Sequence, residues 1–287
     1  MYLGDDKVTK HFFLRRESLI GKLAERYFIG KVRFQGFFEA LHLISVNGLN
    51  YCGRGASVDV SGEEWVVRWF RRQWNRPEKP IVFDIGANVG DYTRTFLSIF
   101  GTDCHIYAFE PSAKTFDMLR TNVRSPAVNC FNLGFSNMPG QCALYCDPAD
   151  STIASIYLRD GEEYGYHFTQ METVQLETLD RFCEANNIDR IDFLKMDVEG
   201  HELRTLQGSQ NLLKSGAIDV IQFEFGPCNI DSRTYFRDLY QLLRGRYDIY
   251  RVCQDGLYLI QSYTHLLEVF RASNFIAKRR TNENNEK

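Results

Sequence analysis

The sequence predicts an α/β protein built around a doubly wound, mostly parallel β-sheet. From Ile81 onward, short apolar runs alternate with amphipathic stretches, which is the pattern of strand–helix–strand units. The apolar runs predict parallel strands at 81–83, 106–109, 128–133, 191–194 and 220–223. Helices are predicted between them, at 93–100, 113–123, 202–214 and 232–243.

Two stretches of the chain predict antiparallel pairing instead. Residues 141–178 alternate apolar and polar side chains, as strands with one solvent-facing side do. Residues 247–253 and 256–262 predict a hairpin that turns around Gln254, Asp255 and Gly256. The expected sheet is therefore parallel in its centre and finished by an antiparallel C-terminal hairpin.

Three segments are predicted along the chain. Residues 1–76 form a helical N-terminal segment, residues 77–277 the sheet domain, and the polar residues 278–287 a disordered tail.

The N-terminal segment carries two helix signals. Ser61 and Glu64 have the spacing of a capping box that opens a helix at 63–73, and prolines at 77 and 80 end it. The stretch 34–46 is apolar but contains Gln35, Glu39 and His42, which suits a packed or interfacial helix.

Composition limits the classes of partner. Among 287 residues, 34 are Lys or Arg and 37 are Asp or Glu, so the net charge of −3 gives no reason to expect nucleic acid. The eight cysteines form no CxxC pair and no Cys/His cluster, which favours reduced thiols. No signal-peptide core and no transmembrane-length apolar run is found, so we expect a cytoplasmic protein.

The most informative segment is the loop after the first predicted strand. That strand places Asp84 at the carboxyl end of the sheet, where ligands of open α/β folds bind. Gly86 and Gly90 lack a Cβ, so the backbone around Ala87 and Asn88 can turn tightly and approach a ligand closely. The next helix points its N-terminus at the same place.

The loop favours S-adenosylmethionine (SAM) over a dinucleotide. A dinucleotide fingerprint needs glycines where this chain has Asn88 and Asp91, and the carboxylates of Asp84 and Asp91 would repel a pyrophosphate. A P-loop ending is also missing. The sulfonium and ammonium groups of SAM are cationic, so acidic residues around the loop favour them.

Two further loops are predicted to reach the cofactor. Glu110 ends the second strand 20 residues after Gly90, where an acidic side chain can accept both hydroxyl protons of a ribose. Phe135 and Ser136 follow the third strand, and Phe135 either packs on the adenine or belongs to the core.

A second cluster of ionisable groups follows the fourth parallel strand. Asp197, Glu199, His201 and Glu202 crowd a strand-to-helix turn beside the expected cofactor. A solvated helix start also collects acids, because they oppose the helix dipole. Both interpretations stay open at this point.

Several motifs together resemble the FkbM family of methyltransferases. They are D-I-G-A-N-V-G from Asp84, F-E-P from Phe109, T-L-D from Thr178 and D-V-E-G-H-E from Asp197. The resemblance covers about residues 61–225, and residues 1–58 lie outside it.

The resemblance implies a class I methyltransferase, with a Rossmann-like fold, that uses SAM to methylate a hydroxyl of a sugar, glycan or secondary metabolite. A catalytically inactive binding module, or a methyltransferase for another acceptor class, is the alternative. A nucleic-acid methyltransferase would carry an N-P-P-Y-type motif for base amines, and the chain has none. The family's site residues correspond to Asp84, Gly86, Asn88, Gly90, Glu110, Asp197, Glu199 and Glu202.

A hydroxyl acceptor needs a general base. His201 has the most suitable unperturbed pKa, and the pKa of Asp197 or Glu199 would suit the task if crowding raised it. We assign no metal to the site, although Asp197 and Glu199 have the oxygen ligands that Mg²⁺ prefers. Residues 1–76 are expected to pack on the sheet domain, where they either shape the acceptor site or form a stabilising cap.

Overall fold

The computed structural model describes residues 19–51, 61–147, 154–159 and 167–280. The chain divides into a small unit that ends at Leu49 and a larger unit that begins at Asn50. Residues 1–18 of the predicted N-terminal segment and residues 281–287 of the predicted tail lie outside the described residues.

The small unit is a pair of helices held together by aromatic side chains. Helix α1 spans Leu19–Tyr27 and helix α2 spans Gln35–Gly48, with a short 3-10 turn between them. The ring of Phe28 lies 4.4 Å from that of Phe34 and 5.0 Å from that of Phe38, measured between centroids. These contacts join the end of α1 to the start of α2.

The larger unit contains eleven strands and eight helices within its described residues. The strands are β1 Ile81–Ile85, β2 His105–Phe109, β3 Val128–Phe131, β4 Gly134–Phe135, β5 Gly140–Cys146, β6 Gln170–Glu177, β7 Ile191–Met196, β8 Ile218–Phe225, β9 Tyr247–Cys253, β10 Gly256–Leu259 and β11 Ser273–Arg279. The helices are α3 Glu63–Gln73, α4 Asp91–Phe100, α5 Ala113–Asn122, α6 Leu179–Ala185, α7 Glu202–Gln207, α8 Gln210–Ser215, α9 Cys228–Asp231 and α10 Phe236–Leu243.

Eight strands form one twisted sheet in the order β10-β9-β11-β8-β7-β1-β2-β3. The five strands from β3 to β8 in this order are parallel, as predicted, and the predicted hairpin is β9 and β10. The strand β11, which we did not predict, lies antiparallel between β8 and β9. It extends two residues into the tail that the sequence interpretation begins at position 278. A second, three-stranded sheet contains the predicted antiparallel pair β5 and β6.

Two helix predictions are wrong in detail. The helix predicted at 202–214 is split into α7 and α8, because the backbone at Gly208 lies against the carbonyl of Ser136, only 2.0 Å from where a Cβ would stand. The predicted capping box does not form. Gly62, with a left-handed backbone, precedes α3, while the Ser61 hydroxyl hydrogen bonds Glu63 and Glu64 pairs with Arg68.

Helix α3 packs into the main core of the larger unit. Its Val66, Val67 and Phe70 are buried, and the Phe70 ring lies 5.0 Å from the ring of Phe193 on β7. The same ring contacts Phe100 of α4. The division of the chain in the structure therefore falls at 49–50, before this helix, whereas the sequence interpretation places it at 76–77.

Among the described residues, no helix is both long and apolar enough to cross a bilayer. The seven cysteines within the same ranges are free thiols.

We expect Phe70→Ala to lower the free energy of unfolding by about 3–5 kcal/mol, because it leaves a cavity between α3, α4 and β7. Urea denaturation measures the change. Arg68→Ala in the same helix is the control, since it removes only an exposed ion pair and should cost less than about 1 kcal/mol. Equal effects of the two substitutions would contradict a core position for α3.

Candidate functional site

A cavity of about 710 Å³ lies at the carboxyl ends of β1, β2 and β7. The strand order reverses between β1 and β7, and open α/β sheets bind ligands at such a switch point. Nine of the twelve residues that the sequence assigns to the site line this cavity: Asp84, Gly86, Ala87, Asn88, Glu110, Phe135, Asp197, Glu199 and His201. The other three, Gly90, Ser136 and Glu202, do not line it.

The glycines of the β1 loop are needed because protein atoms approach them closely. A Cβ on Gly86 would stand 1.9 Å from the carbonyl oxygen of Asp197, and φ at Gly86 is +79°. A Cβ on Gly90 would meet the side chain of Val123 at 2.5 Å. The sequence interpretation ascribed these glycines to a tight turn and to ligand approach; the structure adds contact between the β1 and β7 turns.

Glu110 is held at the end of β2 by two backbone N–H groups. Its carboxylate oxygens accept hydrogen bonds from the amides of Asn88 at 3.0 Å and Ser112 at 2.9 Å. Burial raises the pKa of Glu110 to about 7, against the effect of these hydrogen bonds. Each oxygen has a further lone pair, so the ionised group can still accept hydroxyl donors from a ligand.

Asp84 is buried next to the same loop. Its carboxylate accepts a hydrogen bond of 2.6 Å from the hydroxyl of Thr93 on α4. Burial raises the pKa of Asp84 to about 6, although that hydrogen bond and the charge of Lys195 oppose the shift. Asp84 and Lys195 are direct neighbours in the β1–β7 register.

Lys195 is a buried cation that the sequence analysis missed. Its ammonium lies 3.0 Å from Asp197 and 3.3 Å from Glu63 of α3, and 5.1 Å from the centre of the Tyr92 ring. Gln222 on β8 donates to Glu63 at 3.1 Å and accepts from the Tyr92 hydroxyl at 2.6 Å. The sequence did contain a signal for this cation, because Lys195 lies within the apolar run at 191–196, and a buried charge needs a partner.

Three carboxyl groups meet at the ends of β7 and β8. Oxygens of Asp197, Glu199 and Glu224 all lie within 4.8 Å of one another, a grouping that could hold a metal ion. Partial burial opposes ionisation of Asp197, but Lys195 and a hydrogen bond from Glu224 outweigh it and lower the pKa of Asp197. Burial and the charge of Asp197 raise the pKa of Glu224 well above its usual range, so Glu224 is the proton donor of this pair.

Glu199 has an unusual backbone and a raised pKa. Its φ of +49° lies in the left-handed region, which is uncommon for a non-glycine residue and concentrates at functional sites. Burial and the charge of Asp197 raise the pKa of Glu199 to about 8, against the opposing charge of Arg159.

His201 is buried and bridges two hydroxyl groups. Its Nδ1 lies 2.9 Å from the Tyr157 hydroxyl and its Nε2 lies 2.9 Å from the Ser136 hydroxyl. Burial lowers the pKa of His201 to about 4, with Arg204 acting in the same direction. The imidazole is therefore neutral near pH 7, with one nitrogen donating and the other accepting.

The described segment 154–159 is attached to the acidic turn by side chains that the sequence analysis also missed. Ser155 donates to the carbonyl of Glu199 at 2.9 Å, and Arg159 forms an ion pair with the carboxylate of Glu199 at 2.7 Å. The Tyr157 hydroxyl adds the contact with His201. Two residues of this segment, Ala154 and Ile156, line the cavity.

The ring of Phe135 lies in the core, which is one of the two roles that the sequence left open, and its packing on an adenine stays a prediction. Its buried ring packs edge-to-face on Phe109 at 4.8 Å and on Phe182 at 5.7 Å, which is a core environment. It also lines the cavity. Ser136, next in the chain, contacts the site through His201.

The sheet order, with a switch point between β1 and β7 and an antiparallel strand inserted beside β8, defines a class I methyltransferase fold. The model of the methyltransferase FkbM domain matches residues 84–251, more than half of the chain. The chain therefore belongs to the FkbM methyltransferase family.

Two proteins of known activity are similar to part of this chain. The hexuronic acid methyltransferase AglP of Haloferax volcanii is 28% identical over 173 residues, which are 58% of this chain and 65% of that protein. The 2-O-methyltransferase NoeI of Sinorhizobium fredii is 24% identical over 144 residues, 47% of this chain and 59% of that protein. The chain thus matches less than two thirds of the length of each of these relatives.

Two solved structures show the same kind of likeness. The methyltransferase FkbM from Methylobacillus flagellatus is 15% identical with a TM-score of 0.42, and the match covers 73% of this chain and 46% of that one. A SAM-dependent O-methyltransferase from Thermotoga maritima is 10% identical with a TM-score of 0.39. This match covers 76% of this chain and 64% of the Thermotoga chain.

We expect Gly86→Ala to lower the free energy of unfolding by at least about 2 kcal/mol, because alanine is strained at positive φ and its Cβ would overlap the Asp197 carbonyl. Gly256→Ala is the matched control, since nothing lies within 4 Å of that Cβ. Thermal melts of both variants measure the difference. A Gly86→Ala protein as stable as the control would contradict the close contact of the two turns.

Proposed function

We propose that the chain binds SAM in this cavity and transfers its methyl group to a hydroxyl of a sugar, glycan or other small molecule. The observation that carries the proposal is one cavity shared by the β1 loop, Glu110 and the acidic turn at Asp197 and Glu199. A methyltransferase needs a cofactor site and an acceptor-activating group in the same cavity, so that the acceptor can lie in line with the methyl group. Two relatives are named for methylation of a hexuronic acid and of a 2-oxygen, which supports this acceptor class.

The cofactor half of the cavity fits the polar groups of SAM. Glu110 is placed to accept the two ribose hydroxyls while the amides of Asn88 and Ser112 hold its carboxylate in position. The negative charge on Asp197 suits the ammonium and sulfonium groups, which are cationic before transfer. The expectations that nucleic acid is not a substrate and that the protein is cytoplasmic stay predictions.

The acceptor half needs a group that removes a proton. In the transfer step the hydroxyl oxygen forms a bond to the methyl carbon as the carbon–sulfur bond breaks, and the sulfur keeps the electron pair. The hydroxyl proton must leave at the same time. Among the candidates, Glu199 has a pKa of about 8, near the working pH at which a general base is most effective.

The other two candidates are better suited to holding the acceptor. Lys195 stabilises the ionised form of Asp197. The carboxylate of Asp197 therefore accepts a hydrogen bond readily but is a weak base. The pKa of His201 is about 4, and both ring nitrogens are already bonded to hydroxyls. We assign Asp197 to orienting the acceptor, Glu199 to proton removal and His201 to positioning Tyr157 and Ser136.

Cofactor binding tests the first half of the proposal. We expect calorimetry to show SAM binding without added metal, with an affinity that falls as the pH drops below about 7, because protonated Glu110 loses acceptor capacity. Glu110→Ala should weaken binding by about 1.5–3 kcal/mol and remove this pH dependence. Glu268→Ala is the control, since that carboxylate also accepts from two backbone amides, at Phe236 and Arg237, but lies outside the cavity. An unchanged dissociation constant in Glu110→Ala would place the ribose elsewhere.

Turnover tests the second half. Asp197→Asn is expected to reduce kcat by about 10²-fold, the scale of a reacting group that is no longer held in position. Asp248→Asn is the control, because the two side chains are similarly exposed, 40% and 42%, and Asp248 is remote from the cavity. SAM binding with no turnover on any sugar or metabolite acceptor would instead favour an inactive binding module.

The pH profile of kcat distinguishes the candidate bases. If Glu199 accepts the proton, kcat rises with pH and levels off above about 8. This rising limb of the pH profile should be absent in Glu199→Gln. If His201 is the base, the limb lies near pH 4 and His201→Ala loses about 10²-fold in kcat. A profile with its limb near 4 would overturn the assignment of Glu199.

A further inference from the structure

The N-terminal unit exposes an unusual share of large apolar side chains. Of the nineteen such side chains that are exposed in the described residues, nine lie between positions 19 and 49. A concentration of exposed apolar side chains in one short stretch is typical of an interaction site. The site described above uses none of these residues.

The exposed side chains are arranged in stripes. On α2, Phe37, Leu41 and Ile44 are spaced i, i+4 and i+7, so they lie on one face of the helix, and all three are exposed. On α1, Leu23 and Tyr27 are spaced i and i+4 and are exposed as well. Val32, in the turn that joins the helices, is 90% exposed.

Positive charges accompany these stripes. Lys22, Arg26, Lys31 and Arg33 are all exposed, whereas the same stretch has only two acids, Glu25 and Glu39. The stretch 19–49 therefore carries a formal charge of +2 in a chain whose total is −3. On α1 the two cations lie on the side of the helix next to the apolar stripe, where long side chains can reach a charged layer above it.

We propose that the helical pair α1–α2 docks on an anionic phospholipid surface, with its apolar stripes in the headgroup–acyl boundary and its four cations on lipid phosphates. Amphipathic helices with aromatic and aliphatic residues on one side and Lys or Arg on the other bind membranes in this orientation. A second copy of the chain fits the surface less well, because protein interfaces are depleted in lysine and this surface would bring like charges together. The proposal is independent of methyl transfer.

Vesicle sedimentation with the full chain tests the proposal. We expect the protein to sediment with vesicles that contain phosphatidylserine and to stay in solution with vesicles of phosphatidylcholine alone, and salt should weaken the binding. The double substitution Leu41→Gln, Ile44→Gln should reduce the partition coefficient by about tenfold or more, because two apolar side chains no longer enter the boundary. Leu266→Gln is the matched control, as Leu266 is 68% exposed and Ile44 is 67% exposed.

The charges are tested separately. Lys22→Glu with Lys31→Glu should reduce binding to phosphatidylserine vesicles by about tenfold or more, and Lys214→Glu, on the exposed side of α8, should leave it unchanged. Failure to bind anionic vesicles, or equal binding by all variants, overturns the proposal. Concentration-dependent self-association that Leu41→Gln, Ile44→Gln abolishes would assign the surface to a second copy instead. SAM titration of the same variants shows whether the cofactor site is intact, so a failure here is distinct from a failure of the proposed function.

Discussion

The structure depends on one buried positive charge, the ammonium group of Lys195 in the middle sheet strand β7. An ammonium removed from water is tolerated only where carboxylates stand close to it. Asp197 supplies one from the end of the same strand and Glu63 supplies the other from helix α3. The acidic turn, the sheet and the helix are therefore joined by one set of ion pairs. The same ammonium keeps Asp197 ionised while Glu224 beside it holds a proton, so the charge pattern at the cavity follows from a lysine buried in the sheet.

Much of the fold could be predicted because local patterns of apolar and polar residues specify it. Runs of apolar residues between amphipathic stretches were enough to predict the five parallel strands. The alternation of apolar and polar side chains was enough to predict β5 and β6. The strand β11 was missed because residues 273–279 include two basic side chains at a stretch where the sequence interpretation starts a tail. Its partners β8 and β9 are distant in sequence, and only the assembled sheet shows the gap that it fills. The break between α7 and α8 has the same origin, since it depends on the contact of Gly208 with the Ser136 loop.

Some residues of the candidate site could be predicted from the local sequence, whereas others depend on contacts between distant parts of the chain. Glu110 and Asp197 could be found because each ends a recognisable strand, and the ends of parallel strands meet at one edge of the sheet. Arg159 and Tyr157 could not, because their stretch has no periodic pattern and their partners Glu199 and His201 are about forty positions away. The protonation states were also beyond the sequence. Burial changes His201 from the most suitable base by its ordinary pKa into a neutral bridge, and it raises the pKa of Glu199 toward the working range.

The position of β11 has a consequence for how the chain folds. It is the last of the described strands in sequence, yet it lies between β8 and β9, so both of those strands have an open edge until it arrives. Open edges are templates for strands of other molecules, and pairings between distant segments form slowly. Until β11 pairs, a foreign strand can compete for the gap, which is a route to strand exchange and aggregation. Two contacts favour the chain's own strand: Arg279 pairs with Asp219 of β8 at 2.6 Å, and Lys278 lies 5.5 Å from the centre of the Trp69 ring on α3.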